Sequence, residues 1–156
     1  MEKYRAFANS LNTWVSRVAI CLLSILVLVV LIAVFFRYVL GNSLPWSEEV
    51  GRYLSVWVGF LGASVALSKR IHIGVDYFVD RLPRKQRRLL KLISETTILI
   101  LLGIISFYGI ELVVFQIPQK SPALLISMFW PYLSVPVGTL LMMIQGLSLL
   151  IEDWEN

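Results

Sequence analysis

The 156-residue chain is 58% hydrophobic and only 15% charged, with a formal net charge of +4. Soluble domains carry about 45–50% apolar and about 25% charged residues, so a soluble globular domain is excluded as the body of this sequence. The positive charge does not point to nucleic acid either. The basic residues cluster beside the ends of apolar runs, where membrane topology and anionic lipid account for them.

Four apolar segments follow in chain order. A helix rises about 1.5 Å per residue and the bilayer hydrocarbon is about 30 Å thick, so about 20 apolar residues suffice to span. The first segment runs from about residue 18 to 36 and stops at Arg37. It follows a polar lead and is too long for the core of a signal peptide, so a retained anchor is expected rather than a cleaved leader. Cys21, the lone cysteine, lies within it. A single cysteine excludes an intrachain disulfide, and Cys21 is expected to be a small buried apolar residue.

The second segment covers about 45–67. Its uncharged core from Leu54 to Leu67 is too short to span, but extension back to Pro45 supplies the length, and proline is tolerated in a first helical turn. Ser43 or Ser47 is expected to cap that start. Glu48 and Glu49 fall where the helix dipole favours negative charge, and Arg52 lies one helical turn beyond Glu48, at pairing distance.

The third segment, about 89–115, needs tilt or projects from the bilayer, and Glu95 and Glu111 lie near its two ends. The fourth covers about 123–151. Pro131 and Pro136 in its first half predict a kink or an interfacial piece before the spanning part.

Basic residues set the expected orientation. The lead carries Lys3, Arg5 and Arg17, and the middle connection carries Lys69, Arg70, Arg81 and the run from Arg84 to Lys91. The opposite side carries only Arg37, Arg52 and Lys120. Both termini are therefore expected to be cytoplasmic. In the middle connection Ile71, Val75, Phe78, Val79 and Leu82 repeat at helical spacing, which predicts a short amphipathic helix on the inner leaflet, ended by Pro83. Arg84, Lys85, Arg87 and Arg88 are expected to hold anionic headgroups, at up to about 1 kcal/mol per charge. His72 is expected at the same interface. The expected fold is thus a single all-α integral membrane domain with four transmembrane helices.

The chemistry available is limited. One histidine excludes a bis-histidine haem within this chain, and one cysteine excludes a thiolate cluster or a redox pair. There is no glycine-rich phosphate loop and no nucleophile elbow. No enzyme activity, cofactor or metal is expected. The first segment has no carboxylate, and the second and third carry theirs toward the ends. No pair of broken helices repeats in two halves, so an independent secondary transporter is disfavoured. A small multidrug exporter would need a carboxylate deep in its first helix, and a membrane anchor of a redox complex would need haem or quinone ligands. Gly59, Gly62, Ala63 and Ala66 make one side of the second helix small, which fits close helix packing within this bundle or against a partner subunit.

An ordered set of residues carries a family resemblance. An aliphatic helix ends in Arg37–Tyr38, followed by Ser43, Trp46, Ser47, Glu48, Glu49 and Arg52. A small-residue helix through Gly59 to Ala63 comes next, then a basic residue before His72, with Val75 and Asp76. This pattern resembles the small membrane (DctQ-type) subunit of tripartite ATP-independent periplasmic (TRAP) transporters. It covers about a quarter of the chain, and from Pro83 onward the likeness is architectural.

The resemblance implies a scaffold subunit in the bacterial inner membrane. It would pair with a large, elevator-type membrane subunit that uses sodium to import an organic acid, such as sialic acid or a C4-dicarboxylate. A periplasmic substrate-binding protein would deliver that acid. The resemblance further implies that Arg37, Trp46, Glu48, Glu49 and Arg52 face the docking side. Gly59, Gly62, Ala63 and Ala66 would meet the large subunit, and the basic middle connection would meet membrane phospholipids.

Overall fold

The computed structural model describes residues 2–69 and 83–155. Among them are three long helices, α1 (Glu2–Tyr38), α2 (Pro45–Ser68) and α3 (Arg84–Phe115), a single-turn helix α4 (Phe129–Tyr132) and a final helix α5 (Ser134–Glu155). Four helical stretches are long and apolar enough to cross a membrane: Phe7–Tyr38, Pro45–Ser68, Leu89–Phe115 and Phe129–Ile151. The fold is therefore all-helical with four membrane-spanning helices. The expected amphipathic helix over 71–82, with His72, lies outside the described residues.

α1 buries only a narrow stripe. Ala8, Val15 and Ala19 are buried, and Leu11, Leu22, Leu26, Val29, Ala33 and Phe36 continue the line as half-buried residues. Their alternating spacing of three and four is the seam of a helix pair, and α1 runs along α2 on this stripe. The remaining faces of α1 expose large aliphatic side chains, as a lipid-facing helix does. Cys21 falls between the seam positions Ala19 and Leu22 and is exposed, not buried as its small apolar character suggested. At 37 residues α1 is about 55 Å long at about 1.5 Å per residue, so part of it must project beyond a ~30 Å hydrocarbon layer.

α5 is the hub of the bundle. It packs along both α2 and α3 and touches α1 near the termini. There Tyr4 donates its hydroxyl to the Ile144 carbonyl at 2.9 Å, and Gln145 donates from Nε2 to the Ala8 carbonyl at 3.1 Å. These bonds set the first turns of α1 beside the middle of α5, whose second half continues past them toward the same side, so both termini lie at one end of the bundle. Buried polar groups elsewhere in α5 bond to the backbone: Ser134 to the Pro131 carbonyl at 2.6 Å, and Thr139 to Val135 at 2.9 Å.

Close approach depends on glycine at two α5 positions. A Cβ at Gly138 would lie 2.5 Å from the Phe60 Cβ, and one at Gly146 would lie 2.9 Å from Leu99 Cδ2. The α2 glycines Gly59 and Gly62 behave differently, with nothing within 4 Å of a Cβ. Gly138→Ala therefore overpacks the α2–α5 contact. Thermal or denaturant unfolding in detergent is expected to show a loss of about 1–3 kcal/mol. Gly62→Ala is expected to be neutral or to stabilise by up to about 1 kcal/mol, through helix propensity alone.

Candidate functional site

The end of the bundle opposite the termini carries the two short connections. After α1 the chain turns through Gly41, whose φ of 65° lies in the left-handed region, and the Asn42 N–H closes on the Phe36 carbonyl at 3.0 Å. α2 then begins at Pro45 with Leu44 in the cap position and no side-chain cap. Neither serine acts as the expected N-cap. Ser47 instead donates its hydroxyl to the Leu44 carbonyl at 2.7 Å, because Pro45 has already started the helix at its first position.

The second connection, between α3 and α4, is irregular. The fourth apolar segment, expected from about residue 123, becomes helical only at Phe129. Residues 116–128 form a hairpin instead. Lys120 and Ser127 make an isolated antiparallel bridge, Ser121 N–H bonds the Ile126 carbonyl at 2.8 Å, and Met128 N–H bonds the Gln119 carbonyl at 2.8 Å. At its tip Leu125 adopts a left-handed φ of 56° with its side chain exposed. α4 and α5 follow with a break at Leu133, and Pro136 stands in the first turn of α5, where no N–H is required. This break is the kink that the two prolines predict.

Glu49 joins the two connections. Its Oε1 accepts the Ala123 N–H at 3.0 Å and its Oε2 accepts the Leu124 N–H at 2.9 Å. The side chain is only 5% exposed, and both oxygens are taken by the hairpin. Charge-assisted bonds of this kind are stronger than neutral ones, and they satisfy two backbone donors that the hairpin geometry leaves without a partner. Two further bonds tie α2 to the start of the last span: Tyr53 hydroxyl to Met128 sulfur at 3.3 Å and Trp57 Nε1–H to the Trp130 carbonyl at 3.2 Å.

The other residues expected at this end lie around that clamp. Arg37 is ion-paired with Glu48, both side chains more than half exposed. Such a pair in contact with water contributes at most about 1 kcal/mol. Trp46 and Arg52 are exposed. The structure thus brings Arg37, Trp46, Glu48, Glu49 and Arg52 to one end, but it separates Glu49, buried under the hairpin, from the four exposed groups. Sequence reasoning missed the partners of Glu49. Its one signal was the proline-flanked segment Pro118 to Pro122 inside an otherwise apolar stretch.

The small residues of α2 share one exposed face. Arg52, Ser55, Val56, Gly59, Ala63 and Ala66 follow one another at helical spacing and all point away from this bundle, with Gly62 half-buried beside them. At the opposite end Arg87 is half-buried in the first turns of α3, while the side chains of Arg84, Lys85 and Arg88 lie outside the described part. Among the described residues no group of histidine, cysteine or carboxylate side chains converges as a metal site.

Comparisons with known proteins agree on one family. A family model described as tripartite ATP-independent periplasmic transporters, DctQ component, matches residues 26–156. The sialic acid TRAP transporter small permease protein SiaQ of Vibrio cholerae is 31% identical over 117 residues, covering 72% of this chain and 65% of that protein. The C4-dicarboxylate TRAP transporter small permease protein DctQ of Rhodobacter capsulatus is 32% identical over 104 residues, covering 65% of this chain and 46% of that one. The isethionate TRAP transporter permease protein DctMQ of Oleidesulfovibrio alaskensis is 33% identical over 105 residues, which make up 66% of this chain and 16% of that protein. The chain thus spans less than two thirds of the length of each of these relatives.

The clamp makes a specific prediction. Glu49→Ala removes the partner of the Ala123 and Leu124 N–H groups. Hydrogen exchange measured by mass spectrometry is expected to accelerate over residues 121–126, and the melting temperature in detergent is expected to fall. Glu48→Ala, which removes only an exposed pair, is expected to leave both unchanged.

Proposed function

The chain belongs to the family of DctQ components of TRAP transporters, and from that membership we propose that it is the small scaffold subunit of a sodium-driven importer of an organic acid. Family members are permease subunits, not enzymes. On this reading a large membrane subunit holds the substrate and sodium sites, and this chain enlarges and braces the fixed part against which that subunit moves. Sialic acid and C4-dicarboxylates, named for two of the relatives, define the substrate class.

One observation carries the scaffold role. The α2 face through Gly59, Ala63 and Ala66 is exposed, and a Cβ at Gly59 or Gly62 meets nothing within 4 Å. In a bilayer, small residues favour association because they let helix backbones approach, and here that face is left open by the chain's own packing. The match to DctMQ supports the reading, since most of that permease lies outside the matched region. We place the large subunit on this face.

The loop end is the docking side for the periplasmic binding protein. Arg37, Trp46, Glu48 and Arg52 offer exposed groups for contact, and Glu49 holds the hairpin beside them. Both termini and the basic middle connection, with His72, Arg84, Lys85, Arg87 and Arg88 toward phospholipid headgroups, then face the cytoplasm in the bacterial inner membrane. The asymmetry of basic residues supports this orientation.

Two outcomes test the reading. Gly59→Leu together with Ala63→Leu should abolish co-purification with a co-expressed large subunit while the melting temperature of the chain alone stays the same. Intact co-purification would remove the large subunit from that face. Trp46→Ala with Glu48→Arg should weaken binding of the periplasmic protein to the reconstituted pair, measured by surface plasmon resonance, without releasing the large subunit.

A further inference from the structure

The seam between α1 and α2 opens near the loop end into a groove of about 400 Å³. Its walls are apolar along Leu26, Val30, Ala33 and Val34 of α1 and Gly51 of α2. Its mouth is polar, formed by Arg37 and Arg52 beside Glu48. The helical rise from Leu26 to Arg37 is roughly 16 Å at ~1.5 Å per residue, about half of a ~30 Å hydrocarbon core. The groove therefore has the depth of one leaflet, with charge at the level of the headgroups.

The slot holds water poorly, because its walls are mainly apolar and the Ser55 hydroxyl on the α2 side already donates to the Gly51 carbonyl at 2.7 Å. The chain does not fill it either. A Cβ at Gly51 would make only an ordinary 3.9 Å contact with Leu26 Cδ1, so a side chain would fit where none is present. Glycine inside a helix carries a cost in propensity, which here leaves the slot open.

The hydrogen-bond donors at the mouth select the occupant. The guanidinium groups of Arg37 and Arg52 flank the opening, Arg37 paired with Glu48 and Arg52 within electrostatic reach of Glu49, so the mouth offers two guanidinium forks rather than a surplus of charge. The Glu48 ion pair also holds the Arg37 fork over the opening. Guanidinium forks match the oxygens of a phosphodiester, and the apolar wall below matches an acyl chain. We propose that this groove binds one phospholipid, with its phosphodiester at Arg37 and Arg52 and one acyl chain along Leu26, Val30 and Val34. The inference needs only a membrane-spanning chain and stands apart from the transporter reading. It gives the bilayer-facing side of Arg37 and Arg52 a ligand, while their outer side stays open to a docking protein.

Native mass spectrometry of the full chain tests this. The chain is purified from bacterial membranes, exchanged into lipid-free detergent and titrated with dioleoyl phosphatidylglycerol and, separately, dioleoyl phosphatidylethanolamine. Wild-type chain is expected to retain about one phospholipid through the exchange and to rebind one with either probe. Arg37→Gln with Arg52→Gln should rebind roughly tenfold more weakly, as loss of charge-assisted contacts requires. Gly51→Leu should fill the groove and lose the bound lipid while its melting temperature holds or rises, because leucine is the better helix former. Absence of retained phospholipid in the wild type would overturn the proposal. So would equal retention in Gly51→Leu, which would mark the lipid as a loose annulus around the helices.

Discussion

A single carboxylate fixes the geometry at one end of this protein. A membrane-spanning chain must satisfy its backbone polar groups internally, and helices do so without help. The hairpin over residues 116–128 is irregular backbone, and a neighbouring helix supplies partners for part of it. Glu49 reaches across from α2 and takes two of its N–H groups, one on each oxygen. The direction in which the last span enters the bundle follows from where that hairpin is held. The bonds from Tyr53 and Trp57 secure the same entry a turn or two further along α2.

The placement of the last span then decides which faces are used up and which stay open. α5 presses Gly138 against Phe60 and Gly146 against Leu99, which consumes the inner side of α2 and joins α3 to the bundle. α1 lies on the neighbouring flank along a seam of alternating three- and four-residue steps. What remains of α2 is its small outer face. Two kinds of glycine are therefore found in one chain: Gly138 and Gly146 of α5 close the bundle, and Gly59 and Gly62 of α2 have nothing within 4 Å of a Cβ. The open part of the α1–α2 seam belongs to the same outer surface, and its polar mouth lies between the small face and the loop end.

Much of this was legible in the sequence because the strongest signals are those of length and hydropathy. The four spans, the proline start of α2 and the break at the start of the last span follow from apolar run length and from where proline removes an N–H. Pairing of Arg37 with Glu48 was not foreseen, since the expected partner was Arg52, one turn along the same helix. The turn through Gly41 brings Arg37 back over the start of α2, and periodicity within one helix carries no information about that return. Glu49 looked equivalent to Glu48 by position. A step of one residue rotates a side chain by about 100° around a helix, so neighbours face different surroundings. One faces outward and one faces a hairpin more than seventy residues away. Cys21 shows the same limit from the other side: apolar character says that a residue avoids water, and in a membrane that is satisfied by lipid as well as by a core.

Apart from the ends of its helices, the described part of this chain offers lipid-facing and packing surfaces, and its charged groups gather toward the helix ends. On the proposed reading that division suits a scaffold rather than a translocation pathway. The most direct measurement is sodium-gradient-driven uptake of a labelled organic acid into proteoliposomes, with the periplasmic binding protein supplied outside. Liposomes holding this chain alone should show no uptake above protein-free liposomes, and those holding it with its large subunit should accumulate substrate. Accumulation by this chain alone, or equal uptake by the large subunit with and without it, would contradict the account.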